Sequence, residues 1–155
     1  MAGVDYDASK VKPLLAFVIP FFHFFAAPAP LHDIFVPNSK LTPGKVAGSD
    51  KDRRGVTLAM EKKVFARYRL PWTRRAEFRI DHLVPLELGG ADTIDNLWPH
   101  SLRAKPYGPD RKKMLTQFFL EKIAQRQMTL AQAQEEIRRD WIDAFIDHLG
   151  MVYLQ

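Results

Sequence analysis

Residues 78–100 read FRIDHLVPLELGGADTIDNLWPH, and no other stretch of the chain restricts the fold as strongly. Phe78-Arg79-Ile80 has the look of a short strand, Leu86 to Leu88 returns toward Gly89-Gly90, and the two glycines supply a turn, so a small β-hairpin is expected. Asp81 and His82 stand side by side among apolar neighbours. Adjacent strand residues point to opposite faces, so a bend or bulge is needed to bring both into one site, and Pro85 with the glycine pair can provide it. An isolated Asp-His pair is ordinarily a turn cap beside a satisfied histidine. The length of the surrounding pattern is what argues for more.

Helical periodicity brackets this segment. Val56, Met60, Val64, Phe65 and Tyr68 predict an amphipathic helix over 57–68, which Leu70-Pro71-Trp72 ends. Asp110 is expected to cap a second helix whose apolar positions are Met114, Leu115, Phe118, Phe119 and Ile123. Thr129 and Gln132 form a capping box for a last helix that buries Leu130, Ala133, Ile137, Trp141, Ala144 and Phe145. The fold class is therefore α+β. With 155 residues, 46% of them apolar, one domain is the default, and it is placed at 54–149. Residues 30–53, rich in Pro, Gly, Asn and Ser, read as an extended linker. Residues 1–29 carry Lys10 and Lys12, the apolar run Pro13 to Ala27 and the small residues Ala27-Pro28-Ala29, which predicts an export signal and a periplasmic or secreted protein. An uncleaved anchor or a hydrophobic tail is the alternative.

Charge is distributed unevenly. From Lys40 to Arg79 there are twelve basic side chains against four acidic ones; from 80 to 100 only Asp81, Glu87, Asp92 and Asp95 are charged; from Arg103 to Arg126 basic side chains again prevail, seven to two. An acidic pocket between basic flanks suits a cation held beside a phosphate backbone, and the formal net charge of +5 favours polyanionic partners. Scattered surface charge would give similar counts. Cysteine is absent, which excludes a disulfide framework, a thiolate metal site and a cysteine nucleophile.

Asp81-His82, Pro85-Leu86, Gly89-Gly90 and Asn96-Leu97 fall together at a spacing that resembles the signature of HNH endonucleases. More narrowly, Pro37 to Gly44, Ile80 to Gly90, Asn96 to Pro99 and Leu130 to Trp141 resemble blocks of small, often exported bacterial HNH-like proteins, a likeness that covers roughly residues 36 to 147. The resemblance implies a ββα-metal core, a short hairpin plus a helix, surrounded by further amphipathic helices. It implies hydrolysis of phosphodiester bonds in DNA, or in RNA, with little sequence preference, leaving a 5′ phosphate and a 3′ hydroxyl.

Under that resemblance His82 is the general base, Asp81 binds one divalent ion (Mg2+, Mn2+ or Zn2+), and Asn96 orients the base by holding the loop. HNH enzymes usually place a second ligand on the helix after Asn-Leu. That spacing falls near Ala104 or Lys105, so His100 is the nearest candidate metal ligand, with a solvent-facing helix cap as its plainer role. Arg79 stands where close relatives tend to carry glutamate. For nucleic acid, with DNA the expected partner, the candidate contacts are Arg74, Arg75, Arg79, Lys105, Arg111 and Lys112, which flank the motif. Trp98 fits core packing better than base stacking, and His23, His32 and His148 read as structural or incidental. The competing reading is an inactive HNH-fold module that only binds nucleic acid.

Overall fold

The computed structural model describes residues 36–153; the expected export leader, His23 and His32 lie outside them. Three α-helices, α1 (Leu58–Arg67), α2 (Pro109–Ala124) and α3 (Leu130–Tyr153), surround one antiparallel pair of strands, β1 (Phe78–His82) and β2 (Leu97–Ser101). The architecture is thus α+β. Among the described residues no helix is long and apolar enough to cross a membrane.

Local chemistry sets the helix ends. Thr57 caps α1 by accepting a hydrogen bond from the Met60 amide at 3.3 Å. The cap of α2 differs from expectation: Gly108 occupies the N-cap, Pro109 opens the first turn with its φ already fixed, and Asp110 lies inside that turn, where its charge suits the helix dipole. Thr129 and Gln132 form the expected reciprocal box, with the Thr129 amide donating to Gln132 Oε1 at 2.8 Å and the Gln132 amide to Thr129 Oγ1 at 3.2 Å. Within α3 Asp140 leaves helical geometry (φ −165°, ψ 109°) and its Oδ1 accepts from the Ile142 and Asp143 amides at 2.8 and 3.2 Å. The last element is therefore two helical segments, the second capped anew by Asp140.

The hairpin also differs. Leu86–Leu88 is a short 3-10 turn, and the partner of β1 is β2, in the register Ile80 with Pro99, Asp81 with Trp98 and His82 with Leu97. All five residues of β2 are buried, so it lacks the polar–apolar alternation that marks a strand with one solvated face.

Phe65, Phe78, Trp98, Leu115, Phe119, Ile137, Trp141 and Phe145 form the centre of the core, each nearly or wholly excluded from solvent. Burying each of these large side chains contributes about 2–3 kcal/mol. Leu130, expected inside, stays exposed at the helix start. Residues 37–55 form an arm laid along the loop between the strands: Val46 bridges Gly90, and Gly44 N–H donates to Asp95 O and Ala47 N–H to Gly89 O. Thr42, fully buried, anchors it by donating to Leu97 O at 2.9 Å and accepting from the Tyr68 hydroxyl at 2.8 Å.

Candidate functional site

The loop of residues 83–96 is held by one buried amide. Asn96 Oδ1 accepts from Val84 N–H, while its Nδ2 donates to Val84 O and Ala91 O, all at 2.9 Å. These bonds fold the loop onto the end of β1, satisfying polar groups that would otherwise be costly to bury. Gly90 belongs to this clamp because nothing larger fits: a Cβ there would lie 1.8 Å from Val84 O and 2.8 Å from Asn96 Nδ2. Asn96 thus positions the loop, with its whole side chain occupied in doing so.

Asp81 and His82 emerge from β1 beside a cleft of about 230 Å³ that both of them line, together with Arg79, Glu87, Lys112, Lys113 and Thr116. His82 Nε2 lies 2.7 Å from Asp92 Oδ1. The other Asp92 oxygen accepts from Gly55 N–H at 2.8 Å, so the arm and the loop together fix the carboxylate. Burial raises the Asp92 pKa, but the Gly55 amide, His82 and Arg53 outweigh it and hold the group below its ordinary value. An ionised carboxylate only accepts, so Nε2 carries a proton, and in the neutral ring Nδ1 then keeps its lone pair. No described residue bonds to Nδ1.

On β2, His100 is fully buried and stacks on Trp98 with ring centroids 4.3 Å apart. This excludes the solvent-facing role considered for it. Its Nε2 donates to Tyr107 O at 3.2 Å, which turns Nδ1 toward Asp81 Oδ2, also at 3.2 Å. With a proton Nδ1 donates to Asp81, and without one it is an acceptor facing a second acceptor. Trp98 is wholly buried too, a core residue rather than a surface for stacking bases.

A third group reaches the same carboxylate from α2. The Lys112 ammonium is 3.3 Å from Asp81 Oδ2 and donates to His82 O. With its side chain only 3% exposed, Lys112 is not the surface phosphate contact expected of it, because its charge is already tied to Asp81. Burial by itself would raise the Asp81 pKa; Lys112 and His100 together more than reverse that and hold it at about 2.

The other basic candidates separate in the same way. Arg74 forms a two-point pair with Glu77 at 2.9 and 2.7 Å. Arg75 does so with Glu61 at 2.9 and 3.2 Å and also donates to Phe78 O. Arg111 is half-buried, with its guanidinium over the Phe145 ring. Lys105 is exposed but away from the cleft, whereas Arg79 is exposed and lines it. His148 pairs with Glu136 at 2.7 Å within α3.

Comparison with family models, with curated proteins and with solved structures finds no match to this chain.

Asp92 went unrecognised in the sequence, where it is one of four acids in the segment and ten residues from its histidine. Lys112 did carry a signal. It shares a helical stripe with Leu115, Thr116 and Phe119, all buried, so its spacing already pointed inward.

Proposed function

We propose that this chain is a divalent-metal-dependent endonuclease of HNH type that hydrolyses DNA phosphodiester bonds with little sequence preference. The observation that carries this reading is the His82–Asp92 pair, whose histidine lines one cleft together with Asp81. The chain order β1, β2, α2, with the reactive pair on β1 and a side chain of α2 reaching it, is compatible with a ββα-metal core.

One carboxylate oxygen and one imidazole nitrogen can serve a divalent ion. Asp81 Oδ2 and His100 Nδ1, 3.2 Å apart, would hold it. Among the described residues no group of three His, Cys, Asp or Glu side chains converges, which leaves the other positions to water and phosphate oxygens. Open positions of this kind suit a catalytic Mg2+, Mn2+ or Zn2+ ion and not a structural zinc closed by four protein ligands. When bound, the ion would neutralise charge on the phosphate and on the departing oxygen.

The protein's own groups supply the rest. His82 Nδ1 takes the proton of the attacking water, and Asp92 keeps the ring in the needed tautomer while stabilising the charge it gains. Asn96 keeps the loop, and with it Asp92, in place. Arg79 and Lys113, exposed at the cleft, hold the phosphate backbone.

Supercoiled plasmid tests the reading. Nicking with Mg2+ or Mn2+ is expected to stop with EDTA and to fall at least about 100-fold in His82→Ala. One observation favours a second reading, a module that binds nucleic acid without cutting it: Lys112 already neutralises Asp81. DNA binding with no nicking under Mg2+, Mn2+ or Zn2+ would establish that alternative.

A further inference from the structure

Lys112 stands out among the cations because so little of it reaches water. Its side chain is 3% exposed, on a helix whose neighbouring lysine, Lys113, is exposed. A buried ammonium needs both a counter-charge and acceptors, and Lys112 has Asp81 Oδ2 and the carbonyl of His82. The counter-charge is shared. His100 Nδ1 lies 3.2 Å from Asp81 Oδ2, and the Lys112 nitrogen lies 3.3 Å from that same oxygen.

An ion held jointly by Asp81 and His100 must sit against Oδ2, because that is the oxygen His100 faces. The ammonium is already there. A divalent ion and an ammonium on one carboxylate oxygen repel strongly at so short a separation. We propose that Lys112 is a built-in competitor of the divalent ion, so that metal binding and the Lys112–Asp81 contact exclude one another. The proposal rests on the reading that Asp81 and His100 hold the metal.

The contact has a definite consequence in each state. Without metal, the Lys112 ammonium offsets the charge of the Asp81 carboxylate and is itself offset by it. With metal, that task passes to the ion and the ammonium must leave Oδ2. The apparent metal affinity is then reduced by the stability of the lysine contact, as for any ligand that must displace an internal competitor. A lysine that merely ties α2 to β1 would have no such effect on affinity.

Calorimetric titration of Mn2+ into the full chain tests this, with wild type beside Lys112→Met and with Asp81→Asn as the control for binding elsewhere. Lys112→Met should bind Mn2+ at least tenfold more tightly than wild type. Equal or weaker binding would overturn the competition and leave the metal site standing. If neither protein binds Mn2+ better than Asp81→Asn, the metal reading fails and the competition with it. Wild type provides a readout that does not depend on the variant's folding. Acetic anhydride labelling of Lys112, followed by mass spectrometry, should rise several-fold when Mn2+ saturates the protein, and unchanged labelling at saturation would refute the displacement.

Discussion

Asp81 concentrates opposing forces in one carboxyl group. Burial favours its neutral form, and the Lys112 charge with the bonds from His100 and Lys112 reverses this, taking the pKa from 3.8 to about 2. A carboxyl whose pKa is depressed in the folded state stabilises the fold above its unfolded pKa, and that contribution is lost as pH falls through the folded value. The window therefore runs from about pH 4 down to about pH 2, and the contribution is about 2 kcal/mol. Urea unfolding at several pH values checks it: between pH ~4.5 and pH ~2, wild type should lose about 2 kcal/mol more than Asp81→Asn. Parallel curves for the two proteins would mean that the Lys112 and His100 contacts do not stabilise the fold. At this scale the sequence exposed Asp81, His82 and Asn96 by type and spacing. Asp92 comes from a contact made across the loop, which a linear pattern does not record, whereas the inward turn of Lys112 was legible in its helical stripe with Leu115, Thr116 and Phe119.

Among the elements, the one least legible in sequence is β2. The run Leu97-Trp98-Pro99-His100-Ser101 contains a proline, one large aromatic ring and a histidine, and every residue is buried, so neither alternation nor strand propensity marks it. Leu86 to Leu88, apolar and followed by two glycines, drew the expected strand instead, although Pro85 and the left-handed Gly89 (φ +84°) close it into a 3-10 turn. The helices were more readable because amphipathic spacing survives packing. The exception inside α3 has its own chemistry. Asp140 breaks the helix and its carboxylate then serves the first free amides of the segment that follows. Asp140→Ala should cost about 1 kcal/mol, the usual loss for an N-cap, seen as a lower urea midpoint with unchanged slope. Since Trp141, Ala144 and Phe145 lie just beyond the break and pack into the core, a neutral outcome would mean that packing alone fixes the second segment.

For the whole molecule, net charge is a poor guide to where a polyanion would lie, because many of the cations are already paired. The two-point bonds of Arg74 to Glu77 and of Arg75 to Glu61 commit both guanidinium groups to carboxylates, and Lys112 is committed to Asp81. Arg79 has no such partner among the described residues and lines the cleft beside Asp81 and His82. The counterions of a bound phosphate backbone should therefore be displaced into solution chiefly by cations of the Arg79 kind. Each phosphate neutralised adds about 0.9 to the slope of log affinity against log salt on duplex DNA. Arg79→Ala should consequently weaken binding and flatten that slope by about 0.9, while Arg74→Ala should leave the slope nearly unchanged, as measured by fluorescence anisotropy on a short duplex across a salt series. Equal flattening by both substitutions would mean that the Arg74–Glu77 pair opens on DNA. No flattening by Arg79→Ala would move the bound backbone away from the cleft, and the site would then have to act on a smaller phosphodiester than a duplex.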